Sequence, residues 1–232
     1  MDKEGIEDWL KKYGVVNYTV NEDLSVDVRD DVSLSAVGLV GELPVRFGIV
    51  GGSFDIGENK LTSLVGCPVK VGGGFYCYDN KLINLTGCPK SIGDNFYCGK
   101  NMITSLFGSS IEVGGGFDCS YNQLTSLEYC PVSIGDSFYC GDNKLTSLEG
   151  CPINVGDFFG CDRNEITSLE HCSVGIKGDF QCIPNRLAES ELFLYDYSVE
   201  QICMYYKNKS LKSGLDNRFS DVTIGKIKKI KV

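Results

Sequence analysis

Cysteine is the residue type in this chain with the greatest capacity for chemistry. The 232 residues include twelve cysteines but a single histidine, His171. Thiols pair as disulfides, bind metal ions or act as nucleophiles beside a base. Eleven of the cysteines fall in two columns that recur every 21 residues, and the twelfth is Cys203. The first column holds Cys77, Cys98, Cys119, Cys140, Cys161 and Cys182; the second holds Cys67, Cys88, Cys130, Cys151 and Cys172, with Ser109 in the equivalent position of one repeat.

This regular spacing argues against all three kinds of chemistry. Thiols at equivalent positions of stacked repeats project in parallel, which is poor geometry for a disulfide. The sequence has no Cys-x-x-Cys pair, and it lacks the histidines that usually complete a metal site or a catalytic triad. We therefore predict buried structural thiols, no metal, no cofactor and no catalytic residue, and expect a protein that is not an enzyme. Buried thiols also predict a reducing compartment.

The cysteines are positioned by the turns of a sequence repeat. Leu or Ile follows the marker residue of each repeat by two positions, Val or Ile by twelve, and Phe by sixteen. A unit of this length cannot bury its own apolar face, so the repeats must stack as a solenoid. The marker is an asparagine, which recurs without insertion or deletion at Asn59, Asn80, Asn101, Asn122, Asn143, Asn164 and Asn185.

The order of the columns predicts a short strand in each turn. Phe and Cys lie two residues apart and therefore point to the same side of an extended segment. Strands at equivalent positions of stacked turns are parallel, which gives a parallel β-sheet of short strands. Glycine at the thirteenth position, such as Gly72, predicts a turn that needs either a positive φ or close backbone approach. A proline after the second cysteine, such as Pro68, argues against a helix on the return side, which we expect to be irregular.

These columns carry a resemblance to a known family. Residues 71–82, V-x-x-x-F-x-C-x-x-N-x-L, resemble the leucine-rich-repeat segment L-x-x-L-x-L-x-x-N-x-L, with Phe and Cys at two leucine positions and one extra residue before Phe. Residues 143–152, N-K-L-T-S-L-E-G-C-P, are similar to uncharacterised leucine-rich-repeat proteins of tailed bacteriophages. The resemblance covers residues 1 to about 187. It implies a leucine-rich-repeat solenoid in which each asparagine side chain bonds to the backbone of the neighbouring turn, and a scaffold for binding.

Both ends of the repeat region depart from the pattern and divide the chain into three parts. Residues 1–31 contain an amphipathic helix and a hairpin, and they are predicted to form an N-terminal cap. Residues 32–187 form the predicted solenoid, mostly β and irregular. Residues 188–232 are predicted to form a helical C-terminal cap with a basic tail, and a capping-box pattern places the start of its helix at Ser198.

The outward-pointing residues of the predicted strands form the candidate binding surface. Residues between and beside the buried Phe and Cys must face solvent, and many of them are tyrosine or aspartate. Aromatic side chains offer large rigid contact areas and are enriched at binding hot spots. The alternative is that tyrosine merely satisfies the β-propensity of a short exposed strand. The candidate partner-binding residues are Asp55, Tyr76, Tyr78, Asn95, Tyr97, Asp118, Tyr121, Tyr139 and Phe158.

The distribution of charge narrows the class of partner. The chain has 22 basic and 31 acidic residues, and nine of the basic but only six of the acidic residues lie after Asn185. The preceding residues therefore hold 13 basic against 25 acidic side chains, a net charge of −12. This charge disfavours direct binding to nucleic acid and favours a protein with a basic surface. The sequence has no long apolar run, so we predict no membrane span. Its first residues are acidic, so we predict no signal peptide.

Three functions remain open from the sequence. The leading hypothesis is a non-catalytic protein–protein interaction module, encoded by a phage, that binds or blocks a host protein in the host cytoplasm. Counter-defence or host takeover is the context that the resemblance implies. The second hypothesis is a structural virion or assembly component whose solenoid is a spacer. The third is an acidic mimic that occupies the nucleic-acid-binding site of another protein.

Overall fold

The computed structural model describes residues 1–109, 112–172, 175–183, 185–187, 192, 194 and 198–213. Within these residues the chain winds as a parallel β-solenoid of about seven turns, with a period of about 21 residues and little helix. The predicted period and the parallel pairing of strands are therefore confirmed. The basic tail that the sequence predicts near the C-terminus lies outside the described residues.

Two long sheets run along the described part of the solenoid, and we call them the Val/Ile sheet and the Phe sheet after the columns that they contain. A further pair of strands, β4 (Val40–Gly41) and β7 (Lys60–Leu61), lies beside them. The Val/Ile sheet contains β1 (Tyr18–Val20), β2 (Val26–Val28), β5 (Phe47–Val50), β8 (Lys70–Val71), β10 (Ser91–Ile92), β12 (Glu112–Val113), β14 (Ser133–Ile134), β16 (Asn154–Val155) and β18 (Gly175–Ile176). The Phe sheet contains β3 (Val32–Ser33), β6 (Phe54–Asp55), β9 (Phe75–Tyr76), β11 (Phe96–Tyr97), β13 (Phe117–Asp118), β15 (Phe138–Tyr139), β17 (Phe159–Gly160) and β19 (Phe180–Gln181).

Each full turn therefore contributes a strand to two sheets, whereas the sequence predicted one sheet. The additional strand contains the Val/Ile column: β10 pairs in parallel with β8 on one side and with β12 on the other. β-branched side chains favour extended backbone, and stacking places an identical strand on either side. The return side, between the asparagine and proline columns, is irregular, as expected, except at Lys60–Leu61, which forms β7 and pairs with β4.

The two strands of a turn meet at a glycine corner, where the backbones of successive turns nearly touch. A Cβ atom added to Gly93 would overlap the carbonyl oxygen of Gly72, and one added to Gly135 would overlap that of Gly114. Real Cβ atoms essentially never approach another atom within 3.0 Å. The φ angles of these glycines are not positive. Of the two reasons that the sequence offered for glycine here, close backbone approach is therefore the correct one.

The asparagine column forms a ladder of hydrogen bonds between turns. The backbone N–H of Leu82 donates to Oδ1 of Asn101 at 3.0 Å. Nδ2 of Asn101 donates to the carbonyl oxygen of Cys77 in the preceding turn at 3.0 Å and to that of Cys98 at 3.1 Å. An unpaired buried amide costs about 1–3 kcal/mol, so a partner in every turn explains the constancy of this column. The same pattern holds at Asn80, Asn122, Asn143 and Asn164.

A continuous stack of phenylalanine rings fills the centre of the solenoid. Phe75, Phe96, Phe117 and Phe138 are fully buried, and the centroids of successive rings lie 5.0–5.7 Å apart. The rings of Phe96 and Phe117 are almost parallel, with an interplanar angle of 7°. Each ring thus buries its faces against the same ring in the turns on either side, which is why one residue type recurs.

The first residues of the chain form a helix and an antiparallel strand pair that pack on the solenoid. Helix α1 spans Lys3–Lys12, begins after Asp2, whose side chain accepts a hydrogen bond from the N–H of Gly5, and buries Ile6 and Leu10. Strand β1 pairs antiparallel with β2, and β2 then pairs in parallel with β5. The Val/Ile sheet therefore begins within the first 31 residues.

Helix α2, Val199–Ser213, contacts the last described turns of the solenoid. Its start has the reciprocal bonds of a capping box: the N–H of Ser198 donates to Gln201 and the N–H of Gln201 donates to the Ser198 hydroxyl. The buried hydroxyl of Tyr206 accepts hydrogen bonds from the Ser168 hydroxyl at 3.0 Å and from the Leu169 N–H at 2.9 Å. Among the described residues, neither helix has the length and apolar character needed to cross a bilayer.

Candidate protein-binding groove

The outward side of the Phe sheet presents one side chain from each turn, between the buried Phe and the buried Cys. Asp55, Tyr76, Tyr97 and Asp118 occupy this position in four consecutive turns and face one another in direct parallel register. These four side chains are half-buried, whereas the phenylalanine that precedes each of them is fully buried. The alternation of inward and outward residues that the sequence predicted is therefore confirmed.

These four side chains form the floor of a groove of about 530 Å³, which we call the axial groove. It follows the solenoid axis because its floor takes one residue from each of four turns. The walls come from the chain just after the strands, at Tyr78, Gly99, Lys100 and Tyr121. Of the nine residues predicted for partner binding, those that line the axial groove are Asp55, Tyr76, Tyr78, Tyr97, Asp118 and Tyr121.

Glycines beneath the aromatic rings shape the groove. A Cβ atom added to Gly74 would overlap the Tyr76 hydroxyl, and one added to Gly57 would lie 2.6 Å from a ring carbon of Tyr78. Both rings therefore lie against the backbone of the sheet rather than extending into solvent. A ring that is already held in place loses little conformational freedom when a partner binds, which favours affinity.

The aromatic surface consists of two ring pairs. Tyr76 and Tyr97 lie in the axial groove with ring centroids 5.3 Å apart. Tyr139 and Phe158 extend the surface into the following turns, also with centroids 5.3 Å apart. The ring of Phe158 lies over Gly160, where an added Cβ atom would be 2.8 Å from a ring carbon. Both pairs are tilted, with interplanar angles of 58° and 30°, and their centroid distances are within the range that interacting aromatic rings prefer.

Asn95, the remaining predicted residue, lies outside the groove lining and connects two turns. Its Oδ1 accepts a hydrogen bond from the backbone N–H of Gly116 at 2.7 Å. The hydroxyl of Ser53 accepts in the same way from the N–H of Gly74 at 3.1 Å. Polar side chains at this position therefore stabilise the stacking of turns, a role that the sequence did not reveal.

The two carboxylates of the groove floor are oriented by the same local contact. Oδ1 of Asp55 accepts a hydrogen bond from the N–H of Gly57, and Oδ1 of Asp118 accepts one from the N–H of Ser120, each at 2.8 Å. This contact joins a side chain to the backbone two residues later, and it fixes both carboxylates without help from a partner. Three strand spacings separate the two carboxylates along the axis.

The carboxylates of Asp55 and Asp118 give the axial groove its negative charge. Burial raises the pKa of Asp55; the hydrogen bond from Gly57 opposes this effect, and the charge of Glu58 adds to it. Burial also raises the pKa of Tyr97, and the adjacent Tyr76 and Asp118 raise it further. Groups that resist further negative charge in this way favour a cation as a neighbour.

Lys100 carries the positive charge among the groove-lining residues that the structure describes. It is exposed, and its φ angle of 53° is in the left-handed region. The residue before each asparagine from Asn59 to Asn164 adopts the same conformation, for example Asp79 with φ 51° and Tyr121 with φ 54°. The sequence placed Tyr121 of this column on the candidate surface but not Lys100, because glycine does not mark the left-handed conformation of the column.

The outward side of the Val/Ile sheet has a different composition. From β8 to β18 its strands are two residues long, like those of the Phe sheet, and pair in the same parallel way. β-propensity alone would therefore favour aromatic residues equally on both sheets. From β5 onward, outward-facing tyrosine occurs on the Phe sheet and not in the described strands of the Val/Ile sheet, which argues against the alternative that tyrosine merely satisfies β-propensity. In the described strands from β5 to β18 the outward positions of the Val/Ile sheet hold no aromatic residue; they are Ile49, Lys70, Ser91, Glu112, Ser133, Asn154 and Gly175.

The thiols of the first cysteine column, which begins at Cys77, have little capacity for chemistry in the folded protein. Burial raises the pKa of these thiols well above its ordinary value, and the thiolate is the reactive form. The described residues contain no group of three or more potential metal ligands. The fully buried members of this column are Cys77, Cys98, Cys119, Cys140 and Cys161.

A scan of protein-family models and a search of curated proteins both found no match to this chain. Because a solenoid is a scaffold that serves many functions, its architecture does not select one of them. Function is therefore inferred from the axial groove, from its aromatic rings and from its charge.

Proposed function

We propose that this protein is a non-catalytic protein–protein interaction module whose axial groove binds a host protein with a basic surface. We further propose that it is encoded by a phage and acts in the host cytoplasm by binding or blocking that protein, in counter-defence or host takeover. The observation that carries the proposal is the groove itself, in which Tyr76 and Tyr97 lie between the carboxylates of Asp55 and Asp118.

The composition of the groove supports a protein partner. Tyrosine rings held against the sheet supply rigid contact area with polar hydroxyl groups, which is typical of binding hot spots. Carboxylates at the edge of such a surface add charge complementarity, which selects the partner and accelerates encounter. The net charge of −12 over residues 1–185 extends the same preference beyond the groove and disfavours nucleic acid.

We also propose that the solenoid is of the leucine-rich-repeat type, with caps at residues 1–31 and 188–232. The asparagine ladder and the leucine columns support the repeat type. An open end of a solenoid exposes an apolar face, so the terminal segments have to cover it. Helix α1, which buries Ile6 and Leu10, and the hydrogen bonds of Tyr206 in helix α2 support this role for the two ends.

The proposal is tested by affinity capture from host lysate with three forms of the protein. The wild-type chain should recover a host protein with a basic surface. The triple variant Tyr76→Ala, Tyr97→Ala, Tyr139→Ala should lose it, because hot-spot truncations each weaken binding by about 2 kcal/mol or more. Phe107→Ala is the matched control, because Phe107 is an exposed aromatic residue outside the groove, and it should bind like the wild type.

Each of the other outcomes points to another function. Recovery of phage structural proteins instead of a host protein would indicate a virion or assembly component. A host partner that is released by salt but bound equally by the triple variant would indicate an acidic mimic of nucleic acid. Circular dichroism of all three forms verifies that the substitutions leave the solenoid folded.

A further inference from the structure

We infer that the axial groove recognises an extended segment of its partner that carries two cationic side chains four residues apart. This inference rests on the proposed function and specifies the element of the partner that the groove contacts. It follows from the spacing of the groove floor along the solenoid axis, which the fold sets without reference to any ligand.

The spacing between the two carboxylates is fixed by strand pairing. Asp55 pairs with Tyr76, Tyr76 with Tyr97 and Tyr97 with Asp118, each in direct register. Neighbouring strands lie about 4.7–4.9 Å apart, so the backbones of Asp55 and Asp118 are about 14 Å apart along the axis. The sheet therefore presents two negative charges at a defined separation, with two aromatic rings between them.

An extended peptide that lies along the axis matches this separation at one spacing. An extended chain rises about 3.3 Å per residue, and its side chains alternate between two sides. Side chains four residues apart lie on the same side and about 13 Å from each other. Side chains three residues apart point to opposite sides, and those six apart are about 20 Å from each other. Only the spacing of four brings both cations to the two carboxylates.

The residues between the carboxylates favour arginine at these two positions. A guanidinium group donates two hydrogen bonds to a carboxylate and stacks on an aromatic face, whereas an ammonium group is a hydrated point charge. Tyr76 and Tyr97 are half-buried and lie next to Asp55 and Asp118 in register, so each guanidinium meets a carboxylate and a ring together. Both carboxylates are already oriented by their backbone contacts, which lowers the entropy lost on binding.

Lys100 should weaken the binding of a basic peptide to the axial groove. It lines the wall of the groove beside these carboxylates, and its positive charge repels a cationic segment. Its removal should therefore strengthen binding of a basic peptide, whereas removal of a residue that contacts the peptide favourably should weaken binding. This opposite direction is difficult to obtain from a general loss of folding.

The test uses three labelled nine-residue peptides with blocked ends, built from serine and threonine with two arginines each. The second arginine follows the first by three, four or six positions. The three peptides therefore differ only in arginine spacing and have the same net charge and composition. Fluorescence anisotropy with the full-length chain measures their affinity. The peptide with spacing four should bind about tenfold more tightly than the other two, because each of the others loses one charge-assisted arginine–carboxylate contact.

Variants of the full-length chain test the residues. Asp55→Asn and Asp118→Asn should each weaken the spacing-four peptide about tenfold, to the affinity of the other peptides. Asp136→Asn removes the same charge from an exposed position outside the groove, and it should change the affinity less than about twofold. Lys100→Ala should strengthen binding of all three peptides.

Equal affinity for the three peptides, or no loss with Asp55→Asn and Asp118→Asn, would overturn the inference. Absence of peptide binding together with tyrosine-dependent capture of a host protein would overturn this inference and leave the proposed function intact. Absence of both would remove the proposed function as well.

Discussion

The inward and outward sides of the Phe sheet follow opposite rules. The inward side repeats phenylalanine in each of seven turns and cysteine in the last six, with Ile56 in the first, while the position between them is Asp, Tyr, Tyr, Asp, Tyr, Gly and Gln from Asp55 to Gln181. Both sides belong to the same two-residue strands, so the backbone does not cause the difference. Inward side chains contact copies of themselves in adjacent turns, which restricts them to one type. Outward side chains lack this restriction, so their sequence reflects what they contact outside the solenoid.

Alkaline pH should unfold the protein by destabilising the inward side of the Phe sheet. This is the largest effect that we expect. Burial raises the pKa of five fully buried thiols, from Cys77 to Cys161, well above its ordinary value. The stability that these neutral thiols provide is complete below the unfolded-state pKa, about 8.5, and is lost as pH rises toward the raised folded-state values. Each thiol loses about 1.4 kcal/mol per pH unit in this range, so the protein should unfold between about pH 9 and 11.

Thiolate absorbance and circular dichroism, followed together in a pH titration, measure this transition. The two signals should change in one step, because the thiols ionise only when the chain unfolds. Thiolate absorbance that appears while the dichroism remains native would show that water reaches this thiol column in the folded protein, which would contradict its burial.

Truncation of one ring on each of two adjacent strands should show the same contrast. Phe117→Ala should lower the free energy of unfolding by about 3–5 kcal/mol, because the ring is fully buried between Phe96 and Phe138. Tyr97→Ala, on the outward side of the adjacent turn, should lower it by about 1 kcal/mol, through loss of the ring pair with Tyr76. Urea denaturation measures both values. Equal losses would contradict the assignment of inward and outward sides.

Loss of one rung of the asparagine ladder should have an intermediate effect. Asn122→Ala leaves the N–H of Ile103 and the carbonyl oxygens of Cys98 and Cys119 without their side-chain partner, and it should lower the free energy of unfolding by about 2–3 kcal/mol. Asn122→Asp keeps the acceptor but replaces the donor, so it should be more destabilising at pH 7 than at pH 4, where a protonated carboxyl group donates. The same loss at both pH values would show that the amide donor contributes nothing.

One substitution should improve the inward side, by the smallest amount. Ser109 replaces cysteine in the second thiol column, and within the described residues its buried hydroxyl is the side-chain polar group without a hydrogen-bond partner. Ser109→Cys removes that unpaired hydroxyl and should raise the free energy of unfolding by about 1–2 kcal/mol. Ser126→Cys, at an exposed serine on the return side, is the control and should not stabilise. Thermal unfolding under reducing conditions compares the two.

The inward side of the fold could be predicted from sequence because the same residue type recurs at the same position of successive turns. Asn101, Phe96 and Cys98 recur in register seven or six times, so their shared environment is evident without coordinates. The outward direction of Tyr76 and Tyr97 follows from the same alternation. Both predictions depend only on the 21-residue period and on the alternation of side chains between the two faces of a strand.

The second sheet and the position of Lys100 in the groove wall could not be predicted in the same way. Strand β10, Ser91–Ile92, is two residues long and lies between Pro89 and Gly93, so its own sequence favours a turn. It is extended because identical neighbours pair with it. Lys100 lines the groove from a left-handed conformation that no glycine marks. In both cases the cause is the adjacent turn, which local sequence patterns do not contain.

The unbroken period has a consequence for how such a molecule changes over generations. Because every boundary between coils is chemically equivalent, duplication or excision of one complete coil joins surfaces that already fit. The interior is preserved by such an event, while the outer trough lengthens or shortens by one strand spacing. Recombination within the gene therefore alters the reach of the recognition surface in discrete steps, without the repacking that a new side chain in the centre would require.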